Sequence, residues 1–242
     1  MPLRDHLVEA RKRLIRSLAG IALGSVAGWF LFTPAFEVLQ RPILDAAERD
    51  GVQVAVNFSG VATALDMKLK VAVFLGVIAT SPWWLYQFWR FVAPALKRRE
   101  KTYALGFLGA AVPLFAAGVA LGILVLPKAV GLLTSFVPEG STNLVDAQGY
   151  LSFSMRIIVA FGLAFVFPVV MVGLTWAGAV TPRAWLKGWR WAVFLIFVFA
   201  AVMTPTPDAL TMALMAVPMC ALYFAAIGVG AMRRRARRKR AT

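Results

Sequence analysis

The sequence predicts an all-α integral membrane protein with six transmembrane helices. Hydrophobic residues make up 60% of the chain, which is more apolar surface than a water-soluble domain needs for its core. These residues form runs of about 20 or more, the length that an α-helix needs to cross the hydrocarbon core of a bilayer. A membrane β-barrel would instead show alternating segments of about 10 residues, so we exclude that class.

Short polar segments separate the six apolar runs and set the limits of the predicted spans. We expect one membrane domain, residues 1–242, which begins with a polar tail over residues 1–13 and ends with a basic tail over residues 233–242. The predicted spans cover about residues 14–32, 66–90, 102–126, 150–176, 192–203 and 209–232. The fifth and sixth are predicted to be short. The polar segment over residues 34–64 is expected to form short helices at the membrane interface.

The basic residues are distributed asymmetrically and predict the orientation of the chain. The segments on the side of the N-terminal tail hold most of them, including seven in the C-terminal tail, whereas the loops on the opposite side hold three. An excess of Lys and Arg marks the cytoplasmic side of a membrane protein. Both termini are therefore predicted to be cytoplasmic. Among the acidic residues, only Asp5, Glu9 and Glu100 lie on that side.

The sequence favours a binding or transport subunit over an enzyme. It contains no nucleophile triad, phosphate-binding loop or cluster of metal ligands, and its single cysteine, Cys220, lies within the last apolar run. A net charge of +15 would indicate a nucleic-acid partner in a soluble protein, but here the loops that set the orientation account for it. We therefore expect no enzyme activity, no cofactor, no metal and no nucleic-acid partner.

Glu9 and Glu100 require an explanation, because acidic residues contribute little to orientation. The simplest explanation is a local ion pair with a neighbouring Arg or Lys, which stabilises an exposed site by about 0–1 kcal/mol. The alternative is a binding role for the two carboxylates. The charge pattern alone leaves both interpretations open.

Four motifs, on six matching spans, resemble the TatC family, the polytopic subunit of the twin-arginine (Tat) protein translocase. The resemblance covers essentially the whole chain. The motifs are, in chain order, His6–Leu14, Phe91–Leu96 followed by Glu100, Asp146 with Tyr150–Phe153, and Thr204–Asp208 with Pro218.

The resemblance implies that the chain is the core receptor subunit of the translocase. It implies that Glu9 and Glu100, together with Arg11, Phe91 and Pro94, bind the twin-arginine signal peptide of folded proteins at the cytoplasmic face. It further implies single-span partner subunits of the TatA and TatB type and self-association in a complex. Export would then cross the cytoplasmic (inner) membrane of a prokaryote, driven by the proton-motive force.

Four further positions are candidate functional residues: Pro42, Asp146, Asp208 and Arg156. Span four departs from the family's pattern, because Val166 stands where the family typically has a glutamate. A charge within lipid is costly and usually functional, so the absence of that acid puts its role in partner binding in question. Arg156 is the unusual charge of this span. It either extends toward the membrane surface and Asp146 or makes a polar contact inside the protein.

The alternative function is secondary transport of a small solute. Transporters of that kind usually place polar or charged residues at the middle of the membrane on interrupted helices, and these spans have almost none. An intramembrane enzyme would need clustered polar side chains at the same depth. A purely structural scaffold would leave Glu9 and Glu100 unexplained.

Overall fold

The computed structural model describes residues 3–50, 54–57, 60, 62–92, 100–134, 143–177, 180–203 and 209–239, and each structural statement below concerns those residues. They form nine helices and two short strands. The elements are α1 (Leu3–Phe30), α2 (Phe32–Asp50), β1 (Val54–Asn57), α3 (Thr63–Ala79), α4 (Ser81–Val92), α5 (Glu100–Thr134), β2 (Asn143–Asp146), α6 (Ala147–Ala177), α7 (Pro182–Lys187), α8 (Trp189–Met203) and α9 (Ala209–Lys239).

The predicted all-α class is confirmed, and each predicted span coincides with a helix or a pair of helices. By length and composition, three stretches can cross a membrane: Gly106–Gly131, Ala147–Trp176 and Met212–Met232. The bent pair of α1 and α2 provides a fourth if it counts as one span. Of the two spans predicted to be short, only the fifth is short in the structure. It is the 15-residue helix α8, whereas the apolar part of α9 has 21 residues.

Prolines lie just after the first predicted span and within the second. α1 and α2 meet at an angle of 81°, and Pro34 lies in the first turn of α2. The second predicted span, residues 66–90, consists of two helices, α3 and α4, which are separated just before Pro82. A proline has no N–H to donate to the carbonyl four residues earlier, so the ladder of helical hydrogen bonds ends there. At this second break, Trp84 Nε1 donates to the carbonyl of Val77 at 2.9 Å.

A pair of parallel strands joins the two long polar loops. Val54 of β1 lies opposite Asn143 of β2, and Asn57 lies opposite Asp146. We predicted interfacial helices for the first loop, and it holds both the 19-residue helix α2 and this strand. The pairing was not predicted, because parallel partners lie far apart along the chain and each strand has only four residues.

The first and last helices meet the others at one end of the assembly, which we call the terminal end. Arg13 of α1 hydrogen-bonds to α4 there, and Gly173 near the end of α6 lies against the ring of Trp89 in α4. Tyr223 of α9 donates to the carbonyl of Trp185 in α7 at 2.6 Å. The described parts of the first and last helices therefore both reach this end. That this end is cytoplasmic remains a prediction.

The opposite end, which we call the remote end, contains the strand pair and the start of α6. Tyr150 Oη donates to the carbonyl of Leu39 in α2 at 2.8 Å. Gln148 Nε2 donates to Asp66 Oδ2 at the start of α3, at 3.0 Å. These contacts connect α6 to α2 and to the start of α3, so α2 and the strands form a cap on the helices.

Small residues bring the backbones of neighbouring helices into contact. A Cβ atom on Gly118 of α5 would lie 2.5 Å from the carbonyl oxygen of Phe161 in α6. A Cβ atom on Gly28 of α1 would lie 2.5 Å from the carbonyl oxygen of Ala72 in α3. Close approach of this kind is typical of membrane helices, because apolar side chains gain little by leaving lipid for protein. The largest cluster of buried residues, which includes Phe115 and Phe161, surrounds the contact between α5 and α6.

We expect Gly118→Ala to destabilise the protein. The added methyl group meets backbone atoms of α6, which cannot turn away as a side chain would, and overpacking of this kind costs about 1–3 kcal/mol. The measurement is the melting temperature of the detergent-solubilised protein, which should fall by several degrees.

Gly109→Ala is the matched control in the same helix, because a Cβ atom there meets nothing within 4 Å. Its melting temperature should stay within about a degree of the wild-type value, since exposed substitutions usually change stability by less than about 0.5 kcal/mol. Equal melting temperatures for the two variants would contradict the close backbone contact between α5 and α6.

Candidate functional site

Arg13 is the centre of a hydrogen-bonded cluster at the terminal end, which we call the Glu9 cluster (Glu9, Arg13 and Gln87). The Arg13 guanidinium donates to Glu9 Oε1 from Nη2 at 2.5 Å and from Nε at 3.0 Å. Its other terminal nitrogen, Nη1, donates to Gln87 Oε1 at 3.2 Å. Arg13 is 8% exposed and Gln87 is 3% exposed, whereas the side chain of Glu9 is 27% exposed. A buried cation therefore holds a partly exposed carboxylate in place.

The local sequence explains this arrangement. Glu9 and Arg13 are four residues apart in α1, and residues at this spacing lie on the same face of a helix. Gln87 comes from α4, which packs along α1. Trp83 of α4 fixes that packing, because its Nε1 donates to the carbonyl of Arg16 in α1 at 2.9 Å. The cluster therefore depends on the position of α4 relative to α1 as well as on the helix that holds Glu9 and Arg13.

The pKa of Glu9 is lowered below its ordinary value of 4.5. The hydrogen bonds from Arg13 are the largest cause. The charges of Arg13, Arg90 and His6 lower it further, while partial burial of the carboxyl group acts in the opposite direction. Glu9 is therefore ionised at neutral pH, and the cations around it favour that state.

Aromatic rings lie beside the Glu9 cluster. The imidazole of His6, one turn before Glu9 in α1, stacks on the ring of Phe91 with 4.7 Å between the ring centroids. Arg90 Nη1 donates to Tyr86 Oη at 3.4 Å. Through His6, Phe91 lies close to Glu9. The two residues can therefore belong to one site.

The other predicted residues of this site are less well placed or lie elsewhere. Arg11 is exposed and stands two residues after Glu9, on the opposite side of a helix with 3.6 residues per turn. Glu100 is the first residue of α5, but the position of its side chain is not described. Pro94 and Asp208 lie outside the described residues. Glu9 and Phe91 are therefore the predicted pair that the structure brings together.

Two further candidates, Pro42 and Asp146, lie at the remote end. Pro42 is buried within α2, three residues after the Leu39 carbonyl that accepts the Tyr150 hydroxyl. Asp146 precedes α6, and its Oδ2 accepts from the N–H of Gly149 at 2.7 Å, which is the geometry of a helix N-cap. Asp146 thus caps the start of α6, and Pro42 is buried in the helix that accepts the Tyr150 hydroxyl.

Arg156 is exposed on α6, and no ion pair to it occurs among the described residues. Arg156 lies ten residues after Asp146, which corresponds to about 15 Å along the helix at 1.5 Å per residue. Its extension toward the membrane surface and Asp146 stays a prediction. Arg156 shares one face of α6 with Leu163 and Phe167, which are 38% and 46% exposed. Val166 is buried in the main cluster, so the position of the family's glutamate faces the interior.

Sequence reasoning missed two members of the Glu9 cluster, Arg13 and Gln87. A signal for Arg13 was available, because an acid and a base four residues apart on a helix commonly pair. The local ion pair that we considered for Glu9 is confirmed. Gln87 had no such signal, since its partner lies 74 residues earlier in the chain.

Known proteins share this sequence and this fold. The family model described as Sec-independent protein translocase protein (TatC) matches residues 5–218. The chain is 56% identical to the Sec-independent protein translocase protein TatC of Xylanimonas cellulosilytica, over 95% of this chain and 83% of that protein. It is 33% identical to the protein of the same name from Aquifex aeolicus, over 99% of this chain and 98% of that protein.

A solved structure has the same arrangement of helices. The crystal structure of the twin arginine translocase receptor TatC in DDM superposes with a TM-score of 0.81 at 33% sequence identity. The superposition covers 93% of this chain and 99% of that one. The resemblance found in the sequence is thereby confirmed: the chain belongs to the TatC family and is a membrane subunit of a Sec-independent protein translocase.

Proposed function

We propose that this chain is the receptor subunit of its translocase and that it binds the paired arginines of a signal peptide at the terminal end. The observation that carries the proposal is the Glu9 carboxylate, which is ionised and partly exposed among many cations. A solved relative at 33% identity is a twin arginine translocase receptor, which supports the same role.

Arginine is the ligand that such a site suits best. A guanidinium is always charged and presents a rigid fork of N–H donors to a carboxylate. At an effective dielectric constant of about 20, two charges about 4 Å apart attract by about 4 kcal/mol. Desolvation and ordering of the peptide reduce the net gain. Two adjacent arginines need two acceptors, and we assign the second to Glu100 at the start of α5.

The neighbouring residues have separate roles in this proposal. Phe91 offers an aromatic face on which a guanidinium can stack, and we assign Pro94 to the same site because the resemblance to the family implies it. Arg11 faces away from Glu9, so we assign it no contact with the paired arginines. The exposed cations near Glu9 repel any basic segment whose charge the carboxylates do not neutralise, and this favours peptides with the correct spacing.

The proposal includes the setting of the site. The terminal end is cytoplasmic, the chain lies in the inner membrane of a prokaryote among its lipids, and it associates with further copies of itself. Single-span subunits of the TatA and TatB type join it, and the proton-motive force drives export. The chain itself contributes binding and assembly rather than catalysis.

Transport of a small solute is less well supported. Among the described residues, the buried polar side chains are Arg13, Ser81, Gln87 and Ser154. Arg13 and Gln87 lie at the terminal end. The hydroxyl of Ser154 in α6 donates to the carbonyl of Tyr150 at 2.9 Å. The described part of the chain therefore has few buried polar side chains from which a solute site could be built.

We expect Glu9→Gln to weaken binding of a fluorescent peptide that carries Arg-Arg by at least tenfold at pH 7. The change removes the charge of the acceptor but keeps its size, and tenfold corresponds to about 1.4 kcal/mol. Fluorescence anisotropy with the protein in nanodiscs gives the dissociation constant. A peptide with Lys-Lys in place of Arg-Arg should bind the wild-type protein at least tenfold more weakly.

Glu37→Gln is the matched control, because Glu37 is an exposed acid on α2, away from the terminal end. It should bind the Arg-Arg peptide as the wild type does. Equal binding of the two peptides by the wild-type protein, or tight binding by both Glu9→Gln and Glu100→Gln, would mean that the chain is not the receptor.

We also propose that a single-span partner contacts Arg156 through an acidic or polar side chain. Arg156 lies about 14 Å along α6 from its start at 1.5 Å per residue, and an ionisable residue at such a depth in a membrane span is usually functional. Its exposed apolar neighbours Leu163 and Phe167 extend the same face. That face combines one positive charge with exposed apolar side chains, which suits one apolar helix with an acidic or polar side chain.

Arg156→Leu should reduce the amount of partner subunit that copurifies with the protein from membranes by several-fold. Arg156→Lys keeps the charge and should retain most of the partner. If Arg156 only reaches the lipid headgroups, both variants will recover the partner as the wild type does, and the contact is then excluded.

A further inference from the structure

The two oxygens of the Glu9 carboxylate differ in their hydrogen bonds. Both hydrogen bonds from Arg13 end on the same oxygen, Oε1 of Glu9. No described residue donates to Oε2. Since a carboxylate can accept about four hydrogen bonds on its two oxygens, half of the acceptor capacity of Glu9 is unused within the described part of the chain.

Arg13 is held too firmly to be displaced easily. Its guanidinium makes three hydrogen bonds, two to Glu9 and one to Gln87, and only 8% of the residue is exposed. A ligand that took both oxygens of Glu9 would leave this buried cation with Gln87, a neutral acceptor. Separating a buried charge from its partner costs several kcal/mol, so an incoming arginine gains more by adding to the pair than by replacing it.

We propose that Arg13, fixed by Gln87, is a positioning residue that stays bound to Oε1 of Glu9 and presents Oε2 to an arginine of the signal peptide. This inference rests on the proposed function and adds to it the order of the contacts: buried guanidinium, carboxylate, ligand guanidinium. The ligand arginine thus meets a carboxylate whose rotamer is already set, and it loses less conformational entropy on binding.

Because the groups around Glu9 are charged, a positioning role of Arg13 can be distinguished from a purely electrostatic effect of its charge. On α1 they are Arg13 and His6, and on α4 the group is Arg90. All three are cationic or can become so, and a cationic ligand is repelled by each of them. Simple electrostatics therefore predicts that removing the charge of Arg13 strengthens binding of an Arg-Arg peptide. A positioning role predicts the opposite.

The first experiment measures peptide binding by anisotropy at pH 7 for three variants in nanodiscs. Arg13→Gln should weaken binding of the Arg-Arg peptide at least tenfold, and Arg13→Lys, which keeps a buried cation, should recover part of the loss. Lys12→Gln is the control, because it removes one charge from the adjacent exposed residue and should leave binding unchanged or slightly stronger. Binding by Arg13→Gln that equals or exceeds that of the wild type overturns the inference.

The pH dependence of peptide binding is a second measurement. A purely structural role of Arg13 would not change it. The pKa of Glu9 is depressed in the folded protein, so binding through its carboxylate is present at neutral pH and is lost as the pH falls through that lowered value. In Arg13→Gln the main cause of the depression is absent. The acid limb of the binding profile should therefore move to higher pH, and an unmoved limb contradicts the inference.

A third measurement does not involve the peptide and keeps this inference separate from the proposed function. The chain has five glutamates, so ¹³C-carboxyl labelling of Glu gives few signals to titrate by NMR. The Glu9 signal, assigned by its loss in Glu9→Gln, should titrate below 4.5 in the wild type and at higher pH in Arg13→Gln.

The combined results identify which proposal fails. Unselective peptide binding by the wild type, together with the expected Glu9 titration, would remove the receptor role and leave the positioning by Arg13 standing. A Glu9 pKa that is the same with and without Arg13 would remove the positioning instead. If Arg13→Gln does not fold, the more conservative Gln87→Met tests the same contact and should weaken peptide binding several-fold, while wild-type affinity would overturn the inference.

Discussion

Contact between helix backbones at glycines is the interaction on which the rest of this structure depends. In lipid, burial of apolar side chains stabilises helix association far less than it does in water, so close packing has to hold the helices together. Gly118 brings α5 against Phe161 of α6, and Gly28 brings α1 against α3. These two contacts set the distances at which the side chains of the terminal end and the remote end can meet.

Different interactions join the helices at the terminal end and at the remote end. The remote end is joined by hydrogen bonds between the two strands, between Tyr150 and the Leu39 carbonyl, and between Gln148 and the Asp66 carboxylate. The terminal end is joined by a charged cluster in which Arg13 connects α1 to α4. One end thus forms a fixed cap, while the other keeps a partly exposed carboxylate beside aromatic rings. Such a division suits a protein that recognises its ligand on one side of the membrane.

The sequence was sufficient for the all-α class, because long apolar runs have few alternatives in a membrane. Glu9 could be found because acids are rare among the cations of its end. The spacing of four residues between Glu9 and Arg13 was a local signal for their pairing, but charge counting alone treats every cation of a tail alike. Gln87 and the pairing of β1 with β2 depend on contacts between distant residues, which no local pattern encodes. Pro82 was a local signal for the break between α3 and α4, but the continuous apolar run around it favoured a single span.

The shortness of α8 has a consequence for the surrounding lipid. Its 15 residues extend about 22 Å at 1.5 Å per residue, whereas an ordinary hydrocarbon core is about 30 Å thick. Exposed Trp191 at its start favours the headgroup level on that side. Thinning a bilayer to match costs a fraction of a kcal/mol per Å, so about 8 Å of mismatch amounts to a few kcal/mol. The acyl-chain length of the lipids therefore affects the free energy with which any partner covers α8.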